Sequence, residues 1–263
     1  MTTSRIAIGI EYNGSQFNGW QMQLQDARTV QDEVQQALSK IAAHPVSLIC
    51  AGRTDTGVHA TAQVAHFDTT AERDLKAWVM GGNANLPSDV SIIWAKKVDD
   101  SFSARFSANR RSYRYVILNR HARTAIHSQQ VTWIYDPLNV EVMHEAAQSL
   151  IGLQDFSAFR SSKCQATHAH RLMHSINIFR EGEYIYFDIC ANAFLHHMVR
   201  NLVGSLLMIG RGEQPVTWMA ELLALKDRTQ AGPTAAAAGL YLVAVQYPQE
   251  YGLPSTGFLP RFA

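Results

Sequence analysis

Cysteine is scarce in this chain: three in 263 residues, Cys50, Cys164 and Cys190, with no close pair and no metal-finger spacing. Such a set builds neither a disulfide framework nor a zinc cluster, and it suits small buried positions in a reducing compartment. Long apolar runs are missing too. The opening Met1-Thr2-Thr3-Ser4-Arg5-Ile6 carries no export segment, and no stretch approaches the roughly 20 apolar residues of a membrane span. A cytoplasmic protein with no membrane partner is expected. Gly9, Gly14 and Gly19 lack the spacing and the lysine of a phosphate-binding loop, so neither ATP nor a dinucleotide is expected as cofactor. Disorder is excluded by composition, 47% hydrophobic against 17% charged. The length allows one large core or two ordinary domains.

Acidic residues are absent where basic ones gather. The net charge is only +1, yet six arginines and no acid lie between Arg105 and Arg123. Two more acid-free stretches follow, Phe156 to Phe179 and Ile189 to Gly212, holding Arg160, Lys163, Arg171, Arg200 and Arg211 with several histidines. Lysine is rare beyond residue 100, where 13 of the 15 basic residues are arginines. A phosphate backbone responds to such local positive surface, and arginine favours planar bidentate contacts with it.

Apolar periodicity gives the order strand, helix, strand, strand, helix, strand in the first hundred residues. Ile6, Ile8 and Ile10 alternate as a strand; Thr29 caps a helix whose stripe is Val30, Val34, Leu38 and Ile41. Strands follow at Val46–Cys50 and Thr61–Phe67, then a helix that stops at Gly81-Gly82, then a strand from Val90 to Val98. The second half repeats the order less cleanly. It shows a strand over Tyr113–Leu118, a helix opened by Asp136-Pro137, and a hairpin around Glu181-Gly182-Glu183. A long helix from Phe194 to Ile209, a short one over Trp218–Leu225 and a closing strand from Gly239 to Tyr247 complete it. This predicts an α+β fold of two ferredoxin-like or RRM-like split βαβ units with antiparallel sheets, joined around a central cleft. The expected domains are residues 1–104 and 105–263.

The chemistry concentrates in Ala51-Gly52-Arg53-Thr54-Asp55-Thr56-Gly57-Val58-His59-Ala60, a glycine- and threonine-rich turn between two strand-like runs. Asp55 reads either as a turn residue or as a nucleophile or general base matched by a nearby arginine such as Arg53. Asp55-Thr56-Gly57 also resembles an aspartic-protease loop, but the second such loop that a shared-proton pair needs is missing. Arg105, Arg110, Arg111 and Arg114 interleave with Phe106, Tyr113 and Tyr115, as base stacking with phosphate contact would require; a solvated strand face reads the same way. The pair His196-His197 lacks the helical spacing and the glutamate of a zinc site, so no metal is expected. Arg200 lies off the Leu195/Met198/Leu202 stripe, facing solvent or a cleft. A non-catalytic RNA-binding module of two recognition-motif-like domains is the main rival, and it would need exposed aromatics in its central strands.

Residues 51–60 resemble the catalytic motif of the tRNA pseudouridine synthase A family. The likeness runs through Tyr12-Asn13-Gly14, Phe17 to Gln21, Thr29-Val30-Gln31, Asn85-Leu86-Pro87, Phe102 to Ser107, Tyr113-Arg114-Tyr115 and Phe194 to Gly204. It ends with Asp227-Arg228, Gly239 to Leu242 and Tyr247-Pro248. The resemblance implies that Asp55 is the catalytic aspartate, that Arg53 binds RNA or the flipped nucleotide, and that Tyr113 stacks on the target uracil. It also implies that Arg200 pairs with the aspartate and that Leu240 packs on the base. A cofactor-free homodimer acting on tRNA rather than DNA, at uridines 38, 39 and 40 of the anticodon stem-loop, is what the family leads one to expect. Ser103 departs from the pattern, since many relatives carry histidine there.

Overall fold

The alternating isoleucines form β1 (Ser4–Tyr12) in a computed structural model that describes residues 3–23, 27–254 and 257–262. Thr29 accepts from the Asp32 N–H at 3.4 Å and starts α1 (Val30–Ala42). Then come β2 (Ile49–Cys50), β3 (His59–Thr69), α2 (Leu75–Asn85) and β4 (Val90–Val98). Here β1 lies antiparallel between β3 and β4, with β2 on β3. Contrary to expectation, α2 continues through Gly81-Gly82. A Cβ at either position would stand 2.7 Å from an isoleucine Cδ1, Ile41 or Ile92, so these glycines serve close packing and do not end the helix.

Both faces of this sheet are covered. Phe67 of β3 packs edge-on against Trp78 of α2, their ring centres 5.1 Å apart. Ala7, Val64 and Trp94, on the other face, meet Phe102 and Ala104, with Tyr247, Tyr251 and Leu253 packed beside them. Tyr247 donates its hydroxyl to the Ala104 carbonyl at 2.7 Å.

In the second half, β5 (Arg110–Asn119), β6 (Thr132–Ile134), α3 (Val140–Ala147), β7 (Gly152–Asp155), β8 (His170–Glu181) and β9 (Tyr184–Ala191) precede α4 (Met198–Gly210) and α5 (Trp218–Leu225). The strand order is β5-β9-β8-β7, all antiparallel, with the short β6 parallel to β5. β6 and β7 are too short to show a period in the sequence. α3 begins three residues after Asp136-Pro137, because Asn139 accepts from the Val142 N–H at 3.1 Å and caps it. α4 begins at Met198 and not at Phe194, because His197 sits in the left-handed region at φ 61° and cannot lie inside a helix.

The chain divides into two units, Met1–Asn109 with Leu242–Leu259 and Arg110–Tyr241 with Pro260–Ala263. The division therefore falls at 109/110, not at 104/105, and the second unit is not one continuous segment. The last strand, β10 (Leu240–Gln246), neighbours β3 and draws most of the C-terminal segment back to the first unit. The fold is mixed α+β. No helix among the described residues is long and apolar enough to cross a membrane.

Candidate active site

The Asp55 loop is held from below by the segment that follows β1. Trp20 donates its backbone N–H to the Thr54 carbonyl at 3.0 Å, and Gly57 donates to the Phe17 carbonyl at 3.3 Å. The Thr54 hydroxyl lies 2.8 Å from that of Tyr12, and the Gly14 N–H reaches His59 Nδ1 at 3.0 Å. Gln63 donates to the Gly52 carbonyl at 2.6 Å. The turn itself is closed by the Val58 N–H on the Asp55 backbone carbonyl at 3.1 Å, with Gly57 at φ 78°. Asp55 is half-buried at its tip.

Two glycines permit this contact. A Cβ on Gly14 would stand 1.9 Å from the Val58 carbonyl oxygen, and one on Gly19, at φ 88°, 2.7 Å from the Thr54 oxygen. The sequence shows these glycines but attaches no role to them beyond ruling out a phosphate loop. Their function depends on a backbone lying some forty residues away in sequence.

Arg53 and Arg105 are both exposed, and both act on Cys50. Burial pushes the Cys50 thiol up to about 12, against the opposing pull of these two guanidinium charges. The two arginines therefore share one neighbourhood beside the Asp55 loop. Arg105 also lies over the ring of Phe106, 5.1 Å from its centre, and that ring is 79% exposed. Their loop is anchored by His66, whose Nδ1 accepts the Ala104 N–H at 3.1 Å. Ser103 takes part in local bonds, accepting from the Phe106 and Ser107 N–H groups and donating its own N–H to the Ser107 hydroxyl.

In the second unit β5 separates its arginines. Arg110 is exposed; Arg111 is buried, with Nη1 on the Asn192 carbonyl at 2.8 Å. Arg114 is 1% exposed, and its guanidinium grips Asp188 with both arms at 2.7 and 2.6 Å, beside the Tyr186 ring. It also donates to the Pro260 carbonyl. Arg114 thus departs from the expected set of phosphate contacts: β5 is buried on both faces here, so an arginine at this register must be paired inside. Tyr113 is buried edge-on to Phe194, ring centres 5.0 Å apart. Its neighbour Tyr115 spends its hydroxyl on the Ala236 carbonyl, and burial pushes that phenol far up.

Arg200 projects from the first turn of α4 and donates Nε to the Ala235 carbonyl at 2.7 Å, while the Ala235 N–H returns to the Arg200 carbonyl at 3.1 Å. One turn further, Gly204 lets Pro233 approach so closely that a Cβ would meet its oxygen at 1.7 Å. Asn201 was not singled out by the sequence, yet it ties this region together. Wholly buried, it donates to the Phe159 carbonyl and accepts from Arg228 and the Thr234 hydroxyl. The segment from Arg228 to Thr234 is thereby fastened to the face of α4 that carries Arg200, and it leads directly to buried Leu240. Tyr113, Arg200 and Leu240 are positioned by the second unit, and Asp55, Arg53 and Arg105 by the first.

A carboxylate in a turn braced by main-chain bonds and close-packed glycines, with exposed Arg53, Arg105 and Phe106 in the same unit, suits an enzyme acting on a polyanion with stackable rings. The family model described as tRNA pseudouridine synthase matches residues 8–107 and 146–248, which include the Asp55 loop, α4 and β10. Tyr113 lies outside both matched segments. The chain is 56% identical over 258 residues to a tRNA pseudouridine synthase A of Shewanella sp. strain MR-4, covering 98% of each chain. It is 54% identical to proteins of the same description from Escherichia coli O1:K1 and Shigella boydii serotype 18, over 98% of this chain and 95% of theirs. The chain belongs to the tRNA pseudouridine synthase A family.

Proposed function

We propose that Asp55 carries the isomerisation of uridine to pseudouridine in tRNA, the reaction that membership of this family assigns to the chain. The observation that carries this reading is the bracing of the Asp55 loop: six backbone and side-chain bonds and two obligatory glycines hold one short turn. Rigid support of this kind suits a reacting group better than a surface turn.

The reaction breaks the N1–C1′ bond, turns the uracil, joins C5 to C1′, and takes the proton from C5 while N1 gains one, so the product is an isomer. Those atoms are inaccessible in a stacked helix, and the nucleotide must be flipped out to be reached. Asp55 acts at the ribose or the base as the bond to N1 yields. Arg200 supplies compensating positive charge. Tyr113 offers a ring face to the uracil, and Leu240 an apolar wall that keeps the detached base from escaping into water. Arg53, Arg105, Arg110 and Arg111 contact phosphates; Arg114 holds β5 in place through Asp188.

The finer expectations rest on the close kinship with the synthase A proteins: uridines 38, 39 and 40 of the anticodon stem-loop as targets, a homodimer as the working unit, tRNA in preference to DNA, and a cytoplasmic location. The split βαβ reading of the first unit is supported by its strand–helix–strand–strand–helix–strand order and by β1 lying between β3 and β4. The rival of a non-catalytic RNA-recognition module is disfavoured by burial. The face of β1 and β3 that would display aromatics to RNA lies under Phe102, Ala104 and the C-terminal segment.

Incubating uridine-labelled tRNA with the protein and digesting to nucleosides tests the assignment. Asp55→Asn should abolish pseudouridine while leaving tRNA affinity within a few-fold of the parent. Substantial turnover by that variant removes Asp55 from the chemistry.

A further inference from the structure

At the far end of β5 from Tyr113 lies a pocket of about 680 Å3, within the second unit and used by none of the steps above. Its walls include Asn119, Arg120, His121, Tyr135, Arg180 and Glu183. The volume is in the range that takes a nucleotide-sized ligand. The residues that line it carry two guanidinium groups, an imidazole and a phenol.

The walls are fixed before anything binds. Asn119 donates to the carbonyls of Ile134 and Asp136, on either side of Tyr135, at 3.1 and 2.7 Å. Tyr135 is 53% exposed and meets the His121 ring at 4.8 Å between centres, 65° apart. Arg180 spends one nitrogen, Nη2, on both Asn119 Oδ1 and the Leu138 carbonyl. Arg120 is held by the Ala122 carbonyl and pairs with Glu183 at 2.9 Å, the arginine half-buried and the carboxylate exposed to water. Two arginines pinned at their backs beside a solvent-facing ring are the elements that grip a nucleotide, phosphate on the guanidinium and base on the aromatic.

We propose that this pocket is a second RNA contact site, taking one nucleotide of the tRNA through its phosphate and base, remote from the uridine being isomerised. The inference rests on the proposed function above. Asn119 stands six residues along β5 from Tyr113, which is about 20 Å of strand. An A-form RNA duplex laid along that span would run for several base pairs. An occupant that far from the target would lie outside an isolated hairpin, and the pocket would then discriminate whole tRNA from it.

The test compares full-length tRNA with the isolated anticodon stem-loop, measuring Kd by fluorescence anisotropy and pseudouridine formation on both, with thermal unfolding as the folding control. Tyr135→Ala and Arg120→Ala should each weaken full-length tRNA binding about tenfold, equivalent to about 1.4 kcal/mol, and leave the stem-loop affinity and rate unchanged. Glu183→Gln removes the one acid among the named walls and should tighten full-length tRNA binding, a gain that misfolding cannot imitate. Equal losses on both RNAs, or no change on either, overturn the proposal. So does tight binding of uridine 5′-monophosphate that Tyr135→Ala removes while tRNA affinity stays at the parent value, which would make this a mononucleotide site. Failure of the unmodified protein to form pseudouridine in full-length tRNA would instead strike the proposed function itself, so the two failures are told apart.

Discussion

Replacing Gly14 by alanine adds one methyl group and tests whether bracing of the Asp55 loop matters to catalysis. The new Cβ would lie 1.9 Å from the Val58 carbonyl oxygen. Reaching even 3.0 Å requires the two backbones to part by about 1.1 Å, and because both sides are main chain, no side-chain rotation can absorb it. Gly14 also donates to His59 Nδ1, so the shift pulls on the strand that follows the Asp55 turn. A misplacement near 1 Å in a positioned reacting group costs on the order of a hundredfold in rate, about 2.7 kcal/mol in the barrier. Overpacking of this kind costs about 1–3 kcal/mol of stability, which a chain of ordinary stability survives. Single-turnover pseudouridine formation at saturating enzyme should therefore fall about a hundredfold in Gly14→Ala, with tRNA affinity within about threefold and the far-UV circular dichroism unchanged. A rate within about threefold of the parent in a folded variant refutes the reasoning, because the loop would then tolerate displacement and its bracing would be incidental to the chemistry.

Removing Arg105 and Arg110 together should lower the slope of log K for tRNA against log salt by about 1.5, as expected for two lost phosphate contacts; an unchanged slope means the phosphates lie elsewhere. Arg114→Met should leave that slope alone and instead lower stability by about 3 kcal/mol, at the low end for a broken buried pair because Asp188 keeps a third of its side chain in water. For a chain of this size that is about 6–12 °C in Tm, and a Tm within a degree of the parent would contradict it. Burial, with the Arg5 charge adding to it, holds His66 below the usual histidine range and so neutral, with Nδ1 free to accept from Ala104. The unfolded chain binds that proton near pH 6.5, so below that value it holds more protons than the folded one; stability falls with pH until the lower folded value is passed. Tm should drop from pH 7.5 to pH 5.5, and His66→Asn, which keeps an acceptor but cannot titrate, should flatten that part of the curve.

The turn at Asp55, the long helices and the long strands were legible from residue order, because each is a local pattern. Ile6, Ile8 and Ile10 announce a strand whatever surrounds them, and Thr29 with the Val30–Ile41 stripe announces a capped helix. The run of family-like motifs from Tyr12 to Tyr247 was equally open to reading. Short elements were not: β6 and β7 span three and four residues and exist only through their neighbours β5 and β8.

What only the tertiary structure decided is the direction in which like residues turn. Arg105, Arg110 and Arg114 belong to one basic run, yet the first two face water while the third is buried against Asp188, 74 residues further on. Gly14 and Gly19 look like loop residues, and their necessity comes from the carbonyls of Val58 and Thr54. Asn201 reads as an ordinary polar residue inside a helix until Phe159, Arg228 and Thr234 close around it. Period and chemical type are properties of neighbouring residues, so the sequence by itself determined them. Burial and pairing depend on which distant segment arrives, and that is decided when the whole chain minimises its unpaired polar groups and exposed apolar surface together.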